Sequence, residues 1–299
     1  MTRGTWQAVG AYVAWGLFPL YWKQIDRVPA LQLLGHRIVW SFVTLVVIVI
    51  VTKKLSASSF RPSRRVLSVF LLSAVLISIN WFTFVWAVNS GFVVETSLGY
   101  FITPLVNVLL GVVVIGERLR PPQWLAIALA AAGVAYLTMA HGSVPWIALV
   151  LAVSFGSYGL MKKIAPLDSM GGLTLETGLL FLPALAYLGY ADRAGDGAFL
   201  HAGALSDVLL VGAGPVTTIP LLLFASAARR IPLSLMGVIQ YVTPTLQFLF
   251  SVLLYHEPFV RSQLVGFSLV WIALAVFGIE GALRQTQDDT RTGNQSLES

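Results

Sequence analysis

The stretch that decides the fold is Leu98-Gly99-Tyr100-Phe101-Ile102-Thr103-Pro104-Leu105-Val106-Asn107, which runs on through apolar residues to Gly116-Glu117. It is hydrophobic enough to cross a bilayer, yet it carries Thr103, Pro104 and Asn107 near its middle. The same chemistry returns 140 positions later. Thr243-Pro244 falls on Thr103-Pro104, Gln247 on Asn107 and Glu257 on Glu117. The register holds elsewhere: Trp146 falls on Trp6, Gly156 on Gly16, Lys163 on Lys23, Phe224 on Phe84 and Gln263 on Gln123. One Leu or Val match would mean little in apolar sequence, but a gapless offset through Trp, Lys, Gln and Thr-Pro marks a duplication. The chain reads as one unit written twice, over residues 1–140 and 141–283. Residues 284–299 are polar, lack aromatics and read as a disordered cytoplasmic tail.

Composition fixes the class. Of 299 residues, 57% are hydrophobic and only 11% are charged, and mean hydropathy is +0.81. A soluble domain carries roughly 25% charged residues, so a water-facing surface cannot be built from this inventory. A membrane β-barrel would alternate polarity in segments of about 10 residues. Here the apolar runs are about 20 long and fit helices crossing roughly 30 Å of hydrocarbon. With no cysteine, disulfides and thiolate metal sites are excluded. The four His are scattered, and neither a metal nor another cofactor is expected. The net charge of +6 suits cytoplasmic loops better than nucleic acid. The N-terminus is too short for a signal peptide's basic region, and Trp6, Trp15 and Pro19 sit poorly in its apolar core, so the first span is read as retained.

Ten transmembrane helices are predicted, near residues 5–22, 31–51, 66–88, 93–115, 122–139, 143–161, 171–190, 206–228, 233–255 and 262–282. Pro, Gly and charge mark the breaks between them. Fourteen of the 19 Lys and Arg then fall on the side of the N-terminus, four fall on the other side, and Arg37 lies within a span. That asymmetry puts both termini in the cytoplasm. Five spans per repeat is an odd number, so the second copy enters the membrane the other way up. The fold class is an all-α membrane protein of two inverted five-helix repeats, an arrangement that lets a central site face either side in turn.

Several polar and aromatic motifs carry a resemblance. Trp15-Gly16-Leu17-Phe18-Pro19-Leu20-Tyr21-Trp22-Lys23, His36-Arg37-Ile38-Val39-Trp40-Ser41, Asn80-Trp81 with Trp86-Ala87-Val88-Asn89, and Glu95 through Pro104 resemble the RarD family. That family is a branch of the EamA-type drug/metabolite transporters. The likeness covers Gly4 to Ala282. It implies two EamA repeats and an inner-membrane permease. RarD proteins are commonly labelled chloramphenicol-sensitivity proteins or predicted permeases. Thr103 departs from the pattern, where Asn is expected before the proline. The departure changes a polar group but keeps the helix break.

Charge at membrane depth costs a few kcal/mol or more, so each polar residue in a span needs a partner or a purpose. His36 and Arg37 enter span two and Glu95 opens span four from the same side. The expectation is that these three converge, with Arg37 paired to Glu95 and His36 contacting substrate or a proton. The alternatives are a purely structural ion pair and a histidine bonded to a backbone carbonyl. Glu176, the repeat mate of His36, has no nearby basic residue in sequence. A lone carboxyl in an apolar setting binds its proton more tightly, which makes Glu176 a candidate coupling group. Asn80 and Trp81 offer polar and aromatic contacts to substrate, or helix–helix glue. Tyr100, Gln240 and Tyr241 lie within a turn of Pro104 and Pro244, which are candidate hinges because proline removes a backbone hydrogen bond. Gly16 and Gly156 are expected to serve close helix packing, and Glu117 and Glu257 to be interfacial anchors or gate contacts.

No nucleophile–base set or carboxylate pair within the spans points to an enzyme. No Gly-rich Lys-Ser/Thr loop offers an ATP site, which leaves ion gradients as the energy source. The expected function is a secondary permease that moves a small organic metabolite or drug by alternating access. Export is the expected direction, with proton coupling through Glu176 or His36. An uncoupled, channel-like facilitator is the alternative and would want a continuous polar lining. The expected partners are a small-molecule substrate and the lipid bilayer. A monomer is the default, and the repeat is also compatible with a dimer.

Overall fold

The computed structural model describes residues 2–25, 27–53, 63–90, 92–141, 144–254 and 264–280. Glu257, Gln263 and the tail lie outside the described residues, so their expectations stay with the sequence. Among the described residues every regular element is helical: α1 (Arg3–Trp22), α2 (Ala30–Thr52), α3 (Arg64–Asn89), α4 (Val93–Leu110), α5 (Pro121–His141), α6 (Trp146–Ile164), α7 (Ser169–Arg193), α8 (Ala204–Ala228), α9 (Leu233–Gln240) and α10 (Val242–Leu253), then the shorter α11 (Leu264–Glu280). Eight crossings are long and apolar enough to span a membrane, counting α9 with α10 as one. The less apolar α1 and the shorter α11 complete the ten.

Local chemistry starts these helices where the sequence suggests. Thr2, Ser63 and Asp168 accept the backbone N–H of Thr5, Val66 and Gly171 at the first turns of α1, α3 and α7. Pro29, Pro145 and Pro232 precede α2, α6 and α9, and Pro121 opens α5. At those positions an absent N–H costs nothing.

The two Thr-Pro steps behave differently. Span nine divides at Tyr241 into α9 and α10, because Pro244 has no N–H for the carbonyl of Gln240. Thr243 Oγ1 donates to Tyr12 O at 2.8 Å and ties the break to α1. In contrast, α4 runs through Pro104 unbroken. Thr103 Oγ1 donates to Gly99 O at 2.7 Å within the same helix. α4 then widens into a π-helical turn at Gly111–Ile115, closed by Gly116 at a φ of 78°.

Inversion shows in which helices touch. α4 packs on α6 and α10 on α1; α2 packs on α8 and α3 on α7; α1 packs on α8 and α3 on α6. Each pairing joins one repeat to the other. It recurs at single residues: a Cβ on Gly16 would meet Leu246, and a Cβ on Gly156 would meet Val106. Val106 and Leu246 are themselves repeat mates, so one close helix approach has been made twice. Apolar side chains such as Val51, Leu109, Val113, Leu182 and Ile219 point outward, as a lipid-facing surface requires.

Candidate functional site

The face where α1 begins is called here the N-terminal face. A cavity of about 290 Å³ lies between both repeats. Its lining runs from Tyr12, Thr103 and Gln240 near mid-depth to Trp22, Val88 and Thr96 at helix ends of the opposite face. Five of the nine substrate or coupling candidates line it: Arg37, Asn80, Trp81, Tyr100 and Gln240.

Arg37 is its charge. Nε donates to Thr217 Oγ1 on α8 at 3.2 Å. The guanidinium carbon lies 5.0 Å from the ring centroid of Trp22 and 4.8 Å from that of Trp81. Cation–π contact of this kind gains energy from desolvation. Arg37 therefore turns to Thr217 and two indoles rather than to Glu95, and the expected Arg37–Glu95 pair is replaced. The reason is reach: Glu95 opens α4 outside the cavity lining, while Trp22 and Trp81 flank Arg37 from α1 and α3. Asn80 Nδ2 donates to Leu151 O at 2.9 Å and Ser154 Oγ at 3.1 Å, so it joins α3 to α6 while lining the cavity. Tyr100 meets Phe84 edge-on at 6.1 Å. Gln240 Oε1 accepts from Asn107 Nδ2 at 2.7 Å, across the α4–α9 contact.

Other candidates lie off the cavity. His36 is buried against Phe199, which follows α7, at 5.2 Å between ring centroids. It does not converge with Arg37, because consecutive helix positions point about 100° apart. Tyr241 is buried in an apolar cluster and donates to Phe101 O at 3.2 Å. Pro104 and Pro244 are also absent from the lining.

Glu176 is not alone, and that expectation is corrected. Oε2 lies 2.5 Å from Lys162 Nζ and accepts from Tyr158 OH at 3.2 Å. Lys162 stands 14 positions upstream, in the last turn of α6. Its side chain is only 3% exposed, and that of Glu176 only 2%. Lys162 also lies 4.9 Å from the ring of Tyr158 and 5.6 Å from that of Phe70.

Between this pair and the cavity stands an aromatic cluster. Phe224 contacts Tyr12, Trp15, Phe155 and Tyr158, the last stacked at 6.0 Å. Leu173 and Met236 fill the same buried cluster. The N-terminal half of the molecule's centre is thus packed shut. Below it, Glu117 accepts from the backbone N–H of Leu233 at 2.6 Å and Ser234 at 2.9 Å, and from Ser234 Oγ at 2.7 Å. Lys163 Nζ lies 3.7 Å from the same carboxylate. A carboxylate on the first N–H groups of a helix, which have no acceptor within it, is a favourable charge–dipole arrangement.

Residues 2–139 and residues 143–279 each match the model of the EamA-like transporter family. The chain belongs to that family. Within it, the chain is 45% identical over 283 residues to the transporter YojE of Bacillus subtilis, covering 92% of this chain and 93% of that one. It is 41% identical to Protein RarD of Escherichia coli, covering 95% and 96%. A Pseudomonas aeruginosa relative named chloramphenicol-sensitive protein RarD is 32% identical over 94% of this chain and 95% of its own. A solved crystal structure shares the EamA fold seen here with a TM-score of 0.70 and 19% identity, over 92% of this chain and 97% of that one. The chain is thus a RarD-type EamA transporter, a multi-pass protein of the lipid bilayer that acts on small substrates.

Sequence reading did not place Trp22, Thr217, Lys162 or Tyr158 at the site, although the repeat offset puts Tyr158 on Phe18 and Lys162 on Trp22.

Proposed function

We propose that this EamA transporter is a secondary carrier working by alternating access, and that it exports a small organic metabolite or drug as a monomer. One observation carries the reading: repeat-matched layers are in unequal states. Phe18 and Phe84 line the cavity, while their mates Tyr158 and Phe224 pack into a buried aromatic cluster. Two inverted halves can exchange such states and expose the site to the other side. The Lys and Arg distribution supports a cytoplasmic N-terminal face in a plasma membrane, and the cavity then belongs to an outward-facing state. A channel is disfavoured because the lining ends at the aromatic cluster instead of continuing as a polar path.

Proton coupling is part of the proposal. Opening the N-terminal face brings the Lys162–Glu176 couple and Tyr158 into water, where the carboxylate can exchange a proton. His36, buried on Phe199, is the second candidate for that exchange. The nine selected site residues keep unequal roles in this reading: Arg37, Asn80, Trp81, Tyr100 and Gln240 meet substrate, while His36, Glu95, Glu176 and Tyr241 act from outside the cavity. Pro244 is the favoured hinge, and Pro104 flexes less.

Because the chain has no cysteine, single-cysteine variants test the cycle directly. Phe84→Cys should react with an impermeant thiol reagent from the opposite face. Phe224→Cys should react only from the N-terminal face. Each modification should then suppress reactivity from the other side when both cysteines are present. Simultaneous reaction of both sites from one face would sink the carrier reading.

A further inference from the structure

We infer that the cavity selects organic anions: a carboxylate held in-plane by Arg37, carried on a flat apolar body. The inference rests on the transporter reading and adds the charge and shape of its substrate. Its basis is what Arg37 lacks. Among the described residues, only Nε of this guanidinium has a hydrogen-bond partner, Thr217. The two terminal nitrogens carry four further N–H donors, and no acidic side chain is among the described residues lining the cavity. A cation held at membrane depth without a counter-charge is expensive. The indoles of Trp22 and Trp81 reduce that cost but accept no hydrogen bond from the terminal nitrogens. Those free donors match a carboxylate bidentately, which a lysine ammonium would not do. An incoming anion thus satisfies donors and neutralises charge at once, while a cation would meet repulsion and no acid.

The remaining lining sets the body of the ligand. Trp15, Phe18, Phe84 and Phe155 supply ring faces, and Asn80 and Gln247 supply amides. At about 290 Å³, the cavity lies at the small end of the roughly 300–1,000 Å³ typical of ligand sites. A single planar ring with one acid group suits it better than a large or multiply charged solute.

Benzoate, benzamide and benzylamine are nearly isosteric and carry charges of opposite sign or none. Each would be titrated against purified wild-type protein, with tryptophan fluorescence and the thermal midpoint as readouts. Benzoate should bind at least tenfold more tightly than benzamide, and benzylamine more weakly than either. Sulfate at matched ionic strength should not reproduce the benzoate effect. Arg37→Gln should erase the preference for benzoate over benzamide. Arg37→Lys, which keeps the charge and loses the fork, should retain only a small part of it. If Arg37→Gln does not fold, Arg37→Lys and Thr217→Val decide, since freeing Nε should weaken benzoate several-fold and spare benzamide. Equal binding of benzoate and benzamide by wild type would overturn the inference. So would a preference for benzylamine, an equal effect of sulfate, or a benzoate preference that survives every variant. None of these outcomes touches the cysteine test of alternating access, which can fail or succeed independently.

Discussion

The two repeats of this protein descend from one pattern, yet they occupy different states at matched positions. In the first repeat, Trp22 and Arg37 stand at a cavity wall with Phe18 and Phe84 beside them. In the second, Lys162 replaces Trp22, Glu176 replaces His36, and the cavity is replaced by a buried ion pair under Tyr158 and Phe224. The indoles lower the cost of drying Arg37 but leave it a cation with no acidic side chain among the described residues lining the cavity. The Lys162–Glu176 pair instead neutralises itself while buried, and only removal of one partner would leave an unpaired charge in a low-dielectric setting. The difference makes the Lys162–Glu176 layer the part of the closed half that must take up water in any opening toward the N-terminal face.

The largest effect should come from breaking that pair. Glu176→Ala leaves Lys162 charged and buried, and loss of one partner typically costs about 3–5 kcal/mol. We expect a large fall in thermal midpoint and a poor yield of folded protein. Replacing both partners by apolar residues, Lys162→Met with Glu176→Leu, should recover most of the stability. It should also hold the N-terminal half shut, read as lost labelling at Phe224→Cys. Labelling at the wild-type rate in the double variant would show that opening does not depend on hydration of the pair.

A smaller effect should separate the two copies of the close helix approach. A Cβ on Gly16 would lie 2.9 Å from Leu246 Cβ, while a Cβ on Gly156 would lie 2.6 Å from Val106 Cγ1 and 3.3 Å from its Cβ. Overpacking of this kind costs about 1–3 kcal/mol. Gly16→Ala should cost more, because Leu246 Cβ is fixed to backbone and only a shift of α10 from α1 can relieve it. Equal midpoints for Gly16→Ala and Gly156→Ala would mean that the two halves are equally compliant.

Much of this was legible in sequence, for identifiable reasons. The apolar period and the 140-residue offset gave the ten crossings and their inversion, since both are properties of a linear pattern. The cavity wall was half legible: Arg37, Asn80 and Trp81 are polar or aromatic where lipid-facing residues would not be. Partners were not legible. Lys162 sits at the end of a span and counts as a loop charge until α7 is known to bring Glu176 beside it. Trp22 and Thr217 reach Arg37 from α1 and α8, a convergence that belongs to packing. His36 was drawn to the cavity by its neighbour Arg37, although one step along a helix turns it onto Phe199. The break at Tyr241 and the continuity through Pro104 also differ by tertiary support, because the same Thr-Pro dipeptide is present in both.

The smallest effect should come from the edge of the closed half. Glu117 joins the turn after α4 to the first N–H groups of α9 and lies near Lys163. Its side chain is 12% exposed and that of Lys163 is 19% exposed, so water partly screens the pair. Glu117→Gln keeps an oxygen acceptor and removes the charge that complements the helix start. A cap or helix-dipole contribution of this sort is worth about 0.5–2 kcal/mol. The midpoint should fall modestly, and Phe224→Cys should become easier to label from the N-terminal face, because α9 is released where the half is held shut. Phe84→Cys, in the cavity half, should become correspondingly less reactive from the opposite face. A change at Phe224→Cys without the reciprocal change at Phe84→Cys would mean that the two halves open independently. The inequality between repeats would then be a fixed difference in sequence, not one state of an exchange.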